Sequence, residues 1–134
     1  MVKNNIVYSD FDVTFRRNAL TGDVIRKNNV DDIRQSLFLL FQTNFYERKW
    51  HPEIGSYIPK MLFNQDDVYI KDVLRDQIVT LIENYEPRIT IDNIWIGHEN
   101  LEDVFHGKVT IKISYTINII NYKDTYIYTI TRLR

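Results

Sequence analysis

The chain contains no cysteine, which excludes disulfides and thiolate metal sites and allows a reducing compartment. Glycine occurs only four times, never in a run that could cradle phosphates, so a nucleotide-binding loop is excluded. No apolar run approaches the ~18 residues of a membrane span. The opening MVKNNIVYSDFD also lacks the apolar stretch of a secretion signal. Both absences predict a soluble protein, intracellular when made, with no membrane partner. Basic charge is not in surplus: 17 Lys and Arg against 18 Asp and Glu leave a net −1. That balance argues against nucleic acid as a partner, because phosphate-backbone binding needs a cationic excess. Arg16-Arg17 and Arg26-Lys27 read as solvated loop charge. His51, His98 and His106 are scattered, with no i, i+4 pair of the zinc-protease kind, so neither a metal nor another cofactor is expected.

What is present suffices for a core. Hydrophobic residues make up 44% and aromatics 13% of 134 residues, the length of one domain, here expected to span residues 1–134. Phe11, Val13 and Phe15 alternate with polar neighbours and predict a short N-terminal strand or arm, followed by a turn at Thr21-Gly22-Asp23. A first helix is expected to start near Asn29, with Asp31 and Asp32 in its first turn. Val30, Ile33, Leu37, Leu40 and Phe41 form its apolar stripe, widened by Phe38 and Leu39. Ile70, Val73, Leu74, Ile78, Leu81, Ile82 and Tyr85 predict a second helix, capped at Asn64, led by Asp66 and Asp67, and stopped by Pro87. The long connection between them, residues 44–65, is expected to hold a short helical piece over Ile58–Phe63, capped by Ser56, with Pro59 in its first turn.

After Pro87 the period changes to two. Ile89 and Ile91, then Ile94 and Ile96, alternate in opposite phase, which predicts a bulge at Asp92-Asn93. Val109 to Ile119 alternate cleanly, a turn is expected at Asn121–Asp124, and a last strand over Thr125–Leu133. The predicted fold is α+β: two main helices packed on a small antiparallel sheet, a three-stranded C-terminal meander with an N-terminal strand as an optional addition.

No catalytic constellation is visible. Asp10 and Asp12 could share a strand face, and glycoside hydrolysis needs two carboxylates flanking a bond. Asp31-Asp32 and Asp66-Asp67 are explained as helix-start charges, and Glu47, Glu53 and Glu86 lie in or beside loops. No motif selects a pair.

Four segments together resemble one family. They are Val7-Tyr8-Ser9-Asp10-Phe11-Asp12; Thr43 with Glu47-Arg48, Pro52-Glu53 and Gly55; Leu62-Phe63; and Asn84-Tyr85-Glu86-Pro87-Arg88-Ile89. In order and spacing they are similar to the GPW baseplate family, contractile-tail wedge proteins once labelled lysozyme-like. The chain departs from its pattern at Tyr46, where glycine is usual, and at Ile54, where an aromatic is usual. Tyr46 implies a loop that does not use a left-handed backbone there.

The resemblance implies a non-enzymatic structural subunit of a virion tail baseplate, assembled in the host cytoplasm. Such proteins join a helical core bundle with larger wedge subunits, sit against the tail tube proteins, and start assembly of the tail sheath protein. It also implies two alternatives: a peptidoglycan-cleaving hydrolase, as the old label has it, and a regulator similar to an anti-adapter of sigma-factor proteolysis. Phage tail, type VI secretion and tailocin baseplates are all compatible, though the short chain and Tyr-Glu-Pro-Arg-Ile lean toward phage.

The interface residues expected on this basis are Glu86, Pro87 and Arg88, then Tyr46, Glu47, Arg48 and Trp50 in the long loop. Arg88 in that role would be dispensable for folding. The last strand adds Tyr126, Ile127, Tyr128, Thr129 and Ile130 as an edge open to strand addition. Lys108, Lys112, Arg132 and Arg134 would keep that edge from pairing with itself.

Overall fold

Two short strands, β1 (Ser9–Phe11) and β2 (Arg26–Asn28), pair antiparallel at the start of the chain. The structure, a computed structural model, describes residues 6–58, 60 and 68–131. Helices α1 (Val30–Gln42) and α2 (Val68–Tyr85) follow, then β3 (Ile89–Gly97), a short helix α3 (Leu101–Phe105), β4 (Lys108–Ile117) and β5 (Tyr122–Thr131). The last three strands form an antiparallel meander in the order β3-β4-β5. This is the α+β arrangement the periodicities imply. The N-terminal strand also forms, but it pairs with β2, which the patterning missed, instead of extending the meander.

Helix α1 buries Ile33, Leu37, Leu40 and Phe41, as its spacing predicts. Its stripe is narrower than expected, because Phe38 stays 39% exposed. Asn29 makes no side-chain cap. Its Oδ1 instead accepts the backbone N–H groups of Val7 (2.9 Å) and Tyr8 (3.2 Å), tying the N-terminal segment to the helix start. Helix α2 buries Leu74, Ile78, Leu81 and Ile82 and ends just before Pro87, while Val73 and Tyr85 reach the surface. The expected Asn64 cap, Asp66, Asp67 and Leu62-Phe63 lie outside the described residues. So does most of the Ile58–Phe63 piece; Ile58 and Lys60 are helical, and Ile58 is buried. Ser56 does not cap it, since its hydroxyl donates to the Phe41 carbonyl at 3.1 Å.

The bulge falls where the phase change places it, between Ile91 and Asn93. It lets Ile89, Ile94 and Ile96 all face the core. From β4, Ile111, Ile113, Tyr115 and Ile117 complete the core against both helices. The turn comes three residues earlier than expected, over 118–121, and β5 begins at Tyr122. Asn118 explains the early stop. Its Nδ2 donates to the Pro87 carbonyl (3.4 Å) and its Oδ1 accepts from Thr90 (2.7 Å), while Ile119, which continued the alternation in sequence, is 65% exposed. Asn121 takes φ +47, a region asparagine tolerates.

Helix α1 is clamped to β5 at two places. Phe41 packs on the rings of Tyr126 and Tyr128, with centroids 5.8 and 5.5 Å away. Arg34 makes a bidentate pair with Asp124 (2.8 and 2.7 Å), which also accepts the Tyr115 hydroxyl (2.7 Å). Burial works against the Asp124 charge, but the bonds from Arg34 and Tyr115 outweigh it and hold this carboxyl below its usual range.

Candidate functional site

Pro87 ends α2, and a turn over Pro87-Arg88, in which Ile89 N–H donates to the Glu86 carbonyl (3.4 Å), leads into β3 and brings Glu86 and Arg88 back against helix α1. Arg88 Nε and Nη2 both bond the Glu86 carboxylate, and Nη1 bonds Asp32 at 2.8 Å. Ser36 donates to the same Glu86 carboxylate, and the guanidinium lies 5.0 Å from the centre of the Tyr8 ring. Glu86 and Asp32 are buried, and Arg88 is only partly exposed. Burial pushes the Asp32 carboxyl up, against the pull of Arg88. The Glu86 bonds, with Asp32 behind them, push the Arg88 guanidinium further above its already high value. The segment therefore locks the N-terminal arm, α1, the end of α2 and the start of β3 together. Sequence reading missed Asp32 and Ser36 as its partners, because acidic first-turn residues already have a local explanation.

The long loop is closed at its base. Ser56 N–H donates to the Thr43 carbonyl (2.9 Å), and Asn44 and Ser56 form a parallel bridge. Gly55 permits this closure: a Cβ there would sit 2.5 Å from the Phe45 nitrogen and 2.6 Å from the Asn44 carbonyl carbon. Inside the loop Tyr46 N–H reaches the Pro52 carbonyl (3.0 Å), and the Glu47 carboxylate accepts from Asn44 N–H (2.9 Å) and Nδ2 (2.6 Å). Those bonds hold Glu47 below the usual carboxylate range. Tyr46 has φ +69, so the expectation that the loop does not use a left-handed backbone here is corrected. The braced turn imposes the left-handed conformation, at a cost of about 1–2 kcal/mol for a residue with a Cβ. Its ring is 79% exposed and that of Trp50 84% exposed.

Arg48 and Arg88 line one pocket of about 270 Å³, with Asp10, Ile54 and Tyr85. Arg48 and Arg88, from segments far apart in sequence, thus meet at one surface, while Glu86 stays buried beneath it. A larger groove of about 460 Å³ runs between α2 and the loop, lined by Phe45, Tyr57, Val73, Leu81 and Tyr85. Asp10 and Asp12 do not pair. Asp12 is buried, accepts from Thr14 and Arg16 and lies 3.7 Å from the Lys27 ammonium, and the Thr14 bonds above all hold it far below the usual range; Asp10 is exposed.

Strand β5 stands at one edge of the meander and β3 at the other. Tyr126, Tyr128 and Ile130 turn toward the core, while Ile127 and Thr129 face outward. Lys108 and Lys112 do not guard this edge. They sit on the central strand, paired with Asp103 (3.4 Å) and Glu99, and Lys112 also covers the Trp95 ring. Arg132 and Arg134 lie outside the described residues.

Residues 27–122 match the family described as "Baseplate wedge protein gp25". The chain belongs to this family. It is 30% identical to baseplate wedge protein gp25 of Enterobacteria phage T4 over 89 residues, covering 66% of this chain and 67% of that one. Two solved structures share the fold at 19% identity. One, from Geobacter sulfurreducens and described as a tail lysozyme, superposes with a TM-score of 0.68 over 77% of this chain and 90% of its own. The other belongs to the anti-feeding prophage baseplate, with a TM-score of 0.64 over 91% of this chain and 83% of that one. Family membership assigns the chain a structural place in a phage-type tail baseplate, among other baseplate subunits.

Proposed function

We propose that this chain, as a single domain of residues 1–134, is a non-catalytic wedge subunit that starts the tail sheath by strand addition at β5. Its other partners in this reading are larger wedge subunits and the tail tube, met through the surface around Arg48, Pro87 and Arg88. The observation that carries the proposal is the contrast between the two sheet edges. β3 is broken by the bulge at Asp92, a feature that discourages edge pairing. β5 runs ten residues in unbroken register with β4, and no strand among the described residues covers its outer side. Its inner face is already anchored on Phe41 and Arg34, so an incoming strand meets a prearranged edge.

The hydrolase alternative needs one carboxyl free to give a proton and a second free to act opposite it. Asp12, Asp32 and Glu86 are each committed to arginine inside the fold, which supports the non-catalytic reading. The test is proline at Ile127 or Thr129, in whichever variant circular dichroism and melting show to be folded. Baseplates carrying tubes without ordered sheath are expected. Sheaths of normal length on such tails would place the seed elsewhere.

A further inference from the structure

Among the described residues of the long loop, Tyr46 alone is held at positive φ, and it carries a large exposed ring there. Of the other non-glycine residues in that region, Asn29 and Asn121 are the type that tolerates it. Phe15 sits in a turn whose charges are already paired, Arg16 to Asp12 and Arg17 to the Gly22 carbonyl. Around Tyr46 the pattern differs. The loop's acids serve the loop: Glu47 holds Asn44, and Glu53 is lowered by its own backbone N–H and by His51. Arg48 and Lys49 do not, since neither has an ion-pair partner among the described residues. Neither the Tyr46 phenol nor the Trp50 indole has a hydrogen-bond or ring partner among them. A braced turn that holds two exposed aromatics and two unpaired cations together at its tip is the pattern of a prearranged contact.

We infer that the loop tip, Tyr46, Arg48, Lys49 and Trp50, is a docking knob for an acidic, pocketed surface on another subunit of the baseplate. Trp50 and Tyr46 fill the apolar depression and Arg48 and Lys49 meet carboxylates around it. Nucleic acid fits less well, because two cations flanked by Glu47 and Glu53 give little attraction for a phosphate backbone. The inference rests on the wedge reading but not on the sheath-seeding edge.

Co-expression of the full chain with the remaining wedge subunits of the same tail, followed by affinity capture, tests it. Tyr46→Gly relieves the strained backbone, so its melting temperature should match or exceed the parent's, while captured wedge subunits fall about thirtyfold, as for a contact at the low end of interface hot spots. Arg48→Glu with Lys49→Glu should lower capture similarly, and parent capture should weaken as salt is raised. Trp50→Ala should lower capture with an unchanged melt. Parental capture by Tyr46→Gly and Trp50→Ala would overturn the inference and leave the wedge reading intact. A parent chain that captures no subunit would sink both. Binding of a single-stranded oligonucleotide through the tip, or self-association abolished by the same variants, would show a different occupant and also overturn it.

Discussion

Arg88 has five N–H donors and gives three of them to two carboxylates that water scarcely reaches. Removing it leaves both charges buried and uncompensated, a loss of about 3–5 kcal/mol in comparable cases. Arg88→Ala should therefore lower the melting temperature strongly, contrary to the expectation of a freely replaceable surface arginine. A thermal melt settles this, and a shift of only a degree or two would mean the guanidinium is not holding the fold. Arg88→Lys should rescue little, because an ammonium cannot bridge Glu86 and Asp32 with a planar fork. Gly55 is constrained differently. Gly55→Ala drives a methyl into the Asn44–Phe45 backbone and should cost about 1–3 kcal/mol, as other overpacking does. Denaturant unfolding measures it, and an unchanged midpoint would mean that the loop base gives way without loss.

At the scale of elements, the β1–β2 hairpin is held together by Asp12 more than by its apolar residues, since Phe11, Val13 and Phe15 are all exposed. The Asp12 N-terminal turn bonds Thr14 twice and attracts Arg16 and Lys27. Its carboxyl is lowered in the folded state, so its stabilising effect is complete above its unfolded pKa of about 4. That effect is lost as pH falls below this value toward the folded pKa. Asp12→Asn should flatten this acid branch of the stability curve. An acid profile identical to the parent's would show that other carboxylates carry it. The α1–β5 clamp makes a parallel prediction. Arg34→Ala leaves Asp124 with only Tyr115 and the adjacent backbone, and β5 amides should exchange faster with solvent while β3 amides do not.

For the whole molecule, Asp12, Asp32 and Glu86 are tied to arginine inside the fold, while the loop tip and the β5 edge are exposed. Purified protein is expected to release no soluble products from peptidoglycan. Turnover abolished by substituting one acid, in a chain that still folds, would restore the enzymatic reading. The tests also separate from one another: the β5 proline variants address sheath growth, and the loop variants address capture of wedge subunits.

Periodicity alone determined the class of fold. Apolar spacing in α1 and α2, the stop at Pro87, and even the bulge at Asp92 were legible, because each is a local rule about which side chains must face one way. The four segments that resemble the baseplate family were legible too, since they depend on residue order alone. What needed the tertiary structure were the links between distant segments. Ser36 reaches Glu86 across 50 positions, Asp32 reaches Arg88 across 56, and Arg34 reaches Asp124 across 90. A polar residue on a helix start or strand end looks alike in sequence whether water or a buried arginine satisfies it. The left-handed Tyr46 was invisible for a related reason: its conformation is imposed by Pro52, Asn44 and Gly55, not chosen by tyrosine. Side-chain periodicity records which face is dry, and only the folded chain decides which partners wait there.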